Sequence, residues 1–196
     1  MIEVRIAITG HRPQHLISPD GRPIEPQGAM LAFLRWAAAR ALRKGQDTLT
    51  IITGGALGID QEMADLVTGL KSMPFEGVAL RSCIALPFPP EVQGASWPAE
   101  DLARLRRLVA SADELIGPLY PTFSVGGLHA RNAAMVDSAN YVVGFWNGKH
   151  SGGTYACLLY ALSGGSAKLA SGLPRPNAKP AYNALEGMRR LSIEDV

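Results

Sequence analysis

Leu49-Thr50-Ile51-Ile52-Thr53-Gly54-Gly55-Ala56-Leu57-Gly58-Ile59-Asp60 decides the fold. A short apolar, β-branched run ends in two glycines, and from Gly58 to about Leu70 the chain reads as a helix. Strand, glycine turn and helix follow one another without a spacer. Residues 4 to 9, Val-Arg-Ile-Ala-Ile-Thr, repeat the opening of the pattern and stop at Gly10. A polar, proline-containing loop follows to about Gln27, then a helix over Ala29 to Lys44. Its apolar positions are Met30, Phe33, Leu34, Ala37, Ala41 and Leu42, with Gly45 as the expected C-terminal stop. The same reading predicts strands at Cys83 to Leu86, Glu114 to Ile116 and Tyr141 to Phe145. It predicts helices at about Ala99 to Ala110, Arg131 to Ser138 and Thr154 to Leu162. Strands alternating with helices imply βαβ units: an α/β, Rossmann-like fold with a mainly parallel sheet and helices on both faces. Right-handed crossovers put the strand C-termini on one edge, and ligands of such sheets bind outside that edge at a topological switch point.

Composition sets the bounds. At 196 residues the chain suits one principal domain, expected over residues 1–162, and an irregular C-terminal tail over 163–196. Within that tail Ala184 to Arg190 can form a short helix, while Ser163 to Ser166 and Leu173 to Asn177 lack periodicity. Lys and Arg number 19 against 17 Asp and Glu, a balance of +2, so bulk charge does not hold this chain to nucleic acid. Cys83 and Cys157 sit in apolar runs and read as buried free thiols. The N-terminal stretch carries Glu3 and no long apolar core, no run of 18 apolar residues occurs, and the expected compartment is the cytoplasm. Glycine is abundant, at 21 residues, and clusters at the predicted strand ends.

Four clusters carry chemistry. Gly10-His11-Arg12 puts a close-approach backbone and two donor side chains at the end of the first strand. Gly54, Gly55 and Gly58 form a strand-to-helix turn whose N–H groups suit an anion; it is neither a Walker A loop nor the dinucleotide fingerprint. Asp60, in the first helical turn, serves either the helix dipole or a ligand's ribose. Arg131, Asn132 and Asp137 form the third cluster: an arginine at the predicted start of a helix opposes the dipole, which favours a ligand role. The fourth is Lys149 with Gly152, Gly153 and Thr154, a second glycine turn with a cation beside it. Metal binding is poorly supported, because Pro13 breaks the register between His11 and His15. No cofactor is implied. Trp97, Trp146 and Tyr141 read as core or pocket wall. Arg104, Arg106 and Arg107 read as a solvated helix face.

Taken together, Thr-Gly-His-Arg-Pro at 9–13, Gly-Gly-Ala-Leu-Gly-Ile-Asp at 54–60, Arg-Asn at 131–132 with Met-Val-Asp at 135–137, and Asn-Gly-Lys-x-x-Gly-Gly-Thr at 147–154 resemble the YpsA-like branch of the SLOG superfamily. Lonely Guy enzymes and DprA belong to the same superfamily. The resemblance runs through residues 4–162. It implies a Rossmann-type domain that binds a nucleotide or nucleotide-derived ligand, with Asp60, Arg131 and Asp137 as candidate catalytic residues. The ligand-binding candidates are Gly10, His11, Arg12, Gly54, Gly55, Gly58, Asn132, Lys149, Gly152, Gly153 and Thr154. Lonely Guy enzymes follow their Pro-Gly-Gly-x-Gly-Thr motif with catalytic glutamates; here Tyr155, Ala156 and Cys157 follow Thr154, and the next glutamate is Glu186. N-glycosidic, phosphoribohydrolase-like hydrolysis would therefore need another carboxylate, for which Asp60, Glu62 and Asp137 are the candidates. The competing expectations are a nucleotide sensor without chemistry and a DprA-like binder of single-stranded nucleic acid. A homo-oligomer is expected, because the apolar helix from Thr154 to Leu162 needs cover and because relatives in the superfamily often dimerise.

Overall fold

A computed structural model describes residues 2–18, 21–164 and 178–196. The strands are β1 (Glu3–Gly10), β2 (Thr48–Thr53), β3 (Ala79–Ala85), β4 (Glu114–Ile116), β5 (Tyr141–Phe145), β6 (Ala181–Asn183) and β7 (Arg189–Leu191). The helices are α1 (Gln27–Arg43), α2 (Ile59–Leu70), α3 (Pro90–Gln93), α4 (Ala99–Ser111), α5 (Val125–Asp137) and α6 (Gly152–Ser163). The strands form one sheet of order β4-β3-β2-β1-β5-β6-β7, parallel except where β7 pairs antiparallel to β6. This is the α/β, Rossmann-like architecture expected.

Side-chain alternation along β1 explains the two layers. Val4, Ile6 and Ile8 pack with Phe33 and Leu34 of α1 and Ile59 and Met63 of α2. Ala7 points the other way, to Met135 and Val136 of α5 and Cys157 and Leu158 of α6. All six residues of β2 are buried, which is why its sequence is a continuous β-branched run rather than an alternating one. Helix α1 buries Met30, Phe33, Leu34, Ala37, Ala38 and Ala41 at helical spacing, and Gly45 follows its end at φ 69°, where only glycine is unstrained. Both cysteines are free and buried. Among the described residues no helix is long and apolar enough to cross a membrane.

The structure corrects three expectations. Helix α5 starts at Val125, so Arg131 lies in mid-helix and the argument from an unfavourable helix start fails. Two glycines in the first turn disguise that start; Ser124 caps it by accepting from the Gly127 N–H at 3.0 Å. The tail contributes to the sheet: β6 pairs with β5 and β7 closes the edge, while residues 165–177 lie outside the described residues. The helix expected at 184–190 is a single 3₁₀ turn (Ala184–Glu186) followed by β7, because Gly187 and Met188 adopt φ of 60° and 65° and end the turn. Three-residue strands are too short to leave a readable period. Helix α6 buries Thr154, Cys157, Leu158, Ala161 and Ser163, while Tyr155, Ala156, Leu159, Tyr160 and Leu162 stay partly exposed.

Candidate functional site

The direction in which successive strands are laid down switches at β1. From β1 the chain moves through β2 and β3 to β4 on one side, whereas β5 lies on the other side of β1 and leads to β6. The loops after β1 and β5 therefore diverge, and a cleft of about 940 Å³ opens between them at the C-terminal edge. Gly10, His11, Arg12, Asp60, Arg131, Asn132, Lys149, Gly152, Gly153 and Thr154 all line it. Three helices, α2, α5 and α6, send first-turn residues or their neighbours into this space.

One node organises the β2–α2 turn. Asp60 Oδ2 accepts from the Gly54 N–H at 3.1 Å and the Ala56 N–H at 3.3 Å, and Arg131 Nη1 lies 3.4 Å away. The same Nη1 donates to the Gly54 carbonyl at 2.7 Å, and Gln93 Nε2 donates to that carbonyl at 3.2 Å. Asp60 is buried and Arg131 nearly so, at 8% and 11% side-chain exposure. Burial pushes the Asp60 carboxyl up, against the pull of Arg131 and the two N–H groups. Gly54, Gly55 and Gly58 shape this turn from behind, while Ala56 and Leu57 face the cleft. A side chain at Gly54 has no room, since a Cβ there would lie 1.4 Å from Arg131 Nη1.

The second glycine turn is open. Ser151 precedes α6 with an extended backbone, and its side chain makes no cap hydrogen bond. The first N–H groups of α6 have no partner inside the helix and carry its positive dipole end. Gly152, at φ 88°, and Gly153 have nothing within 4 Å of where a Cβ would stand, so the backbone is bare toward the cleft. Asn132 Nδ2 reaches the Gly153 carbonyl at 3.4 Å and ties α5 to α6. The Lys149 carbonyl accepts from Trp146 Nε1 at 2.9 Å, and Asn147 Oδ1 accepts the Lys149 N–H at 3.2 Å, so the loop bearing the Lys149 ammonium is held at its backbone. Asn183 on β6, fully buried, bonds both the N–H and the carbonyl of Trp146 at 3.3 and 2.9 Å. Sequence reading missed this residue; an asparagine in an irregular stretch gives no signal of burial.

His11 is 8% exposed, and its Nε2 is buried without a hydrogen-bond partner. Burial pushes the imidazole below its ordinary pKa of 6.5; the Asn147 contact opposes this, and His15 and Lys149 add to it. The neutral ring is thus favoured by folding, and the unfolded chain binds the proton first as pH falls. Stability contributed by His11 is present above pH 6.5 and is lost as pH drops through the lower folded value. Between about pH 7.5 and about pH 5.5 the melting temperature should fall, by at most about 1.4 kcal/mol of stability per pH unit from this group. His11→Asn should flatten that part of the profile in a scanning-fluorimetry titration; an unchanged slope would remove His11 from the account.

Asp137 does not join the site. It ends α5 on an exposed turn and accepts from the Tyr160 hydroxyl at 3.1 and 3.3 Å. Six residues of helix carry it about 9 Å along the axis from Arg131, away from the C-terminal edge. Asp60 is then the sole carboxylate among the described residues that line the cleft. Among the described residues no three His, Cys, Asp or Glu side chains stand close enough to hold a metal ion. Arg104 pairs with Asp65, and Arg106 with Glu91 at 3.1 Å, so the basic face of α4 is largely neutralised. Sequence reading also missed Phe88, Gln93 and Phe123, which line the cleft from loops and a short helix far apart in the chain.

No family model matches the chain. Over 121 residues it is 33% identical to the uncharacterized SPbeta prophage-derived protein YoqJ of Bacillus subtilis (strain 168), a match spanning 56% of this chain and 67% of that protein.

Proposed function

We propose that this chain, which belongs to the same family as YoqJ, binds a nucleotide or nucleotide-derived ligand at the C-terminal edge of its sheet. The carrying observation is the imbalance of charge in the cleft. Asp60 is matched by Arg131, which leaves Arg12, Lys149 and the uncapped start of α6 around one space with no carboxylate to answer them. Such a space attracts phosphate. The motif resemblance to the SLOG superfamily supports the same ligand class.

Binding without hydrolysis is the better reading. Asp60 Oδ2 is occupied by two backbone N–H groups and the guanidinium, a role that holds the turn in place. Hydrolysis of an N-glycosidic bond would need its other oxygen against the sugar. Nucleic-acid binding is the weakest of the three, given the paired arginines of α4.

A thermal-shift screen tests the reading, with nucleoside mono-, di- and triphosphates, ADP-ribose, NAD and single-stranded DNA as probes. A nucleotide at 100 times its Kd adds about 2.7 kcal/mol to stability. Lys149→Ala should weaken the responding nucleotide about tenfold or more, the loss of a charge-assisted hydrogen bond. Chromatography after prolonged incubation should return the nucleotide intact. Released base would make the protein a hydrolase with Asp60 as its carboxylate, and a flat screen would remove the nucleotide reading.

A further inference from the structure

The cleft has an apolar end that the anion-binding groups do not use. Phe88 is fully buried in the β3–α3 loop, and the Phe123 ring lies over it with centroids 5.4 Å apart and a 46° tilt. Gly127 in the first turn of α5 holds the lower ring in place, since a Cβ there would stand 2.5 Å from it. Phe123 itself is 63% exposed, yet it lines the cleft. Its loop is not loose. The Leu119 N–H donates to the Leu86 carbonyl at 3.2 Å and the Tyr120 N–H to the Pro87 carbonyl at 2.9 Å, which ties the segment down ahead of Phe123. Trp97, half-buried, lines the cleft from the α3–α4 connection, with Ser96 and His129 as polar neighbours.

A phenylalanine held in water by an anchored loop gains little for folding. A planar apolar face presented to a cation-rich cleft does suit a planar ligand group. We infer that Phe123, backed by Phe88 and with Trp97 lining the same cleft, seats a nucleobase, and that the ligand is a nucleoside phosphate rather than a sugar phosphate or a bare phosphate. The inference rests on the nucleotide reading above and narrows it: the phosphate goes to α6 and Lys149, the base to the aromatic end.

Calorimetric titration of the full chain with AMP, ADP-ribose and ribose 5-phosphate tests it. Wild type should bind at least one of the two adenine compounds at least tenfold more tightly than ribose 5-phosphate. Phe123→Ala should weaken that compound by about tenfold to a hundredfold, the range for loss of base stacking on one aromatic ring. It should leave ribose 5-phosphate unchanged, and Phe123→Trp should restore the affinity. Adenine compounds bound equally by wild type and Phe123→Ala would overturn the nucleobase seat while leaving the nucleotide reading intact, and so would equal loss of all three probes. Wild type that binds none of the three and gives a flat thermal-shift screen would overturn both, whereas a responding nucleotide of another base takes the place of AMP in the same Phe123→Ala comparison.

Discussion

Gly54→Ala should lower the unfolding free energy by about 3–5 kcal/mol and abolish any nucleotide-induced thermal shift. The new methyl would stand 1.4 Å from Arg131 Nη1 and 2.4 Å from its central guanidinium carbon. The guanidinium must swing out, and Asp60 then keeps only backbone partners. The cost is that of a broken buried pair, about 3–5 kcal/mol. For a domain of this size that is a drop of roughly 10 °C. Gly126→Ala is the control: it sits in α5, and nothing lies within 4 Å of its Cβ position. There the alanine should be neutral or stabilising by up to about 1 kcal/mol. Urea unfolding of both variants decides the matter; a Gly54→Ala protein as stable as wild type would mean that Arg131 has another low-energy place to go.

Asp60→Ala should cost about 3–5 kcal/mol as well, for the complementary reason. It leaves the buried guanidinium without its carboxylate and strips the Gly54 and Ala56 N–H groups of their acceptor. Asp60→Asn should cost less, because an amide oxygen still accepts those bonds. The sharper test is the double variant Asp60→Ala/Arg131→Met. If the single change is severe because a charge is stranded, removing the charge too should make the double variant more stable than Asp60→Ala alone. Additive losses in the cycle would mean that the two side chains stabilise the turn independently.

Much of the site was legible along the chain, for reasons that differ by residue. Gly152, Gly153 and Thr154 follow a buried apolar strand and open a helix, and that local pattern carries their meaning. For Arg131 the helix-start argument fails in the structure: it does not open a helix, and it matters because it reaches Gly54 and Asp60 across the sheet edge. Asp137 shared its segment and its motif, yet helical rise carries it to the far end of α5. Spacing along a helix cannot be read correctly when its first residue is misjudged, and Val125-Gly126-Gly127 concealed that residue.

The alternation of β1 to β5 with the long helices, the burial of β2 and the glycine turns at strand ends follow from the amino acids alone. Each rests on local preferences: β-branched runs extend, helical spacing curls, and glycine takes the turns others cannot. Three features wait for the folded chain. The switch at β1, which opens the cleft, is a property of strand order. The Asp60–Arg131–Gly54 node joins residues 71 and 77 positions apart. The aromatic end unites Phe88, Trp97 and Phe123 through loops without period. These depend on contacts between distant segments, whose energies appear only after the sheet has brought them within reach.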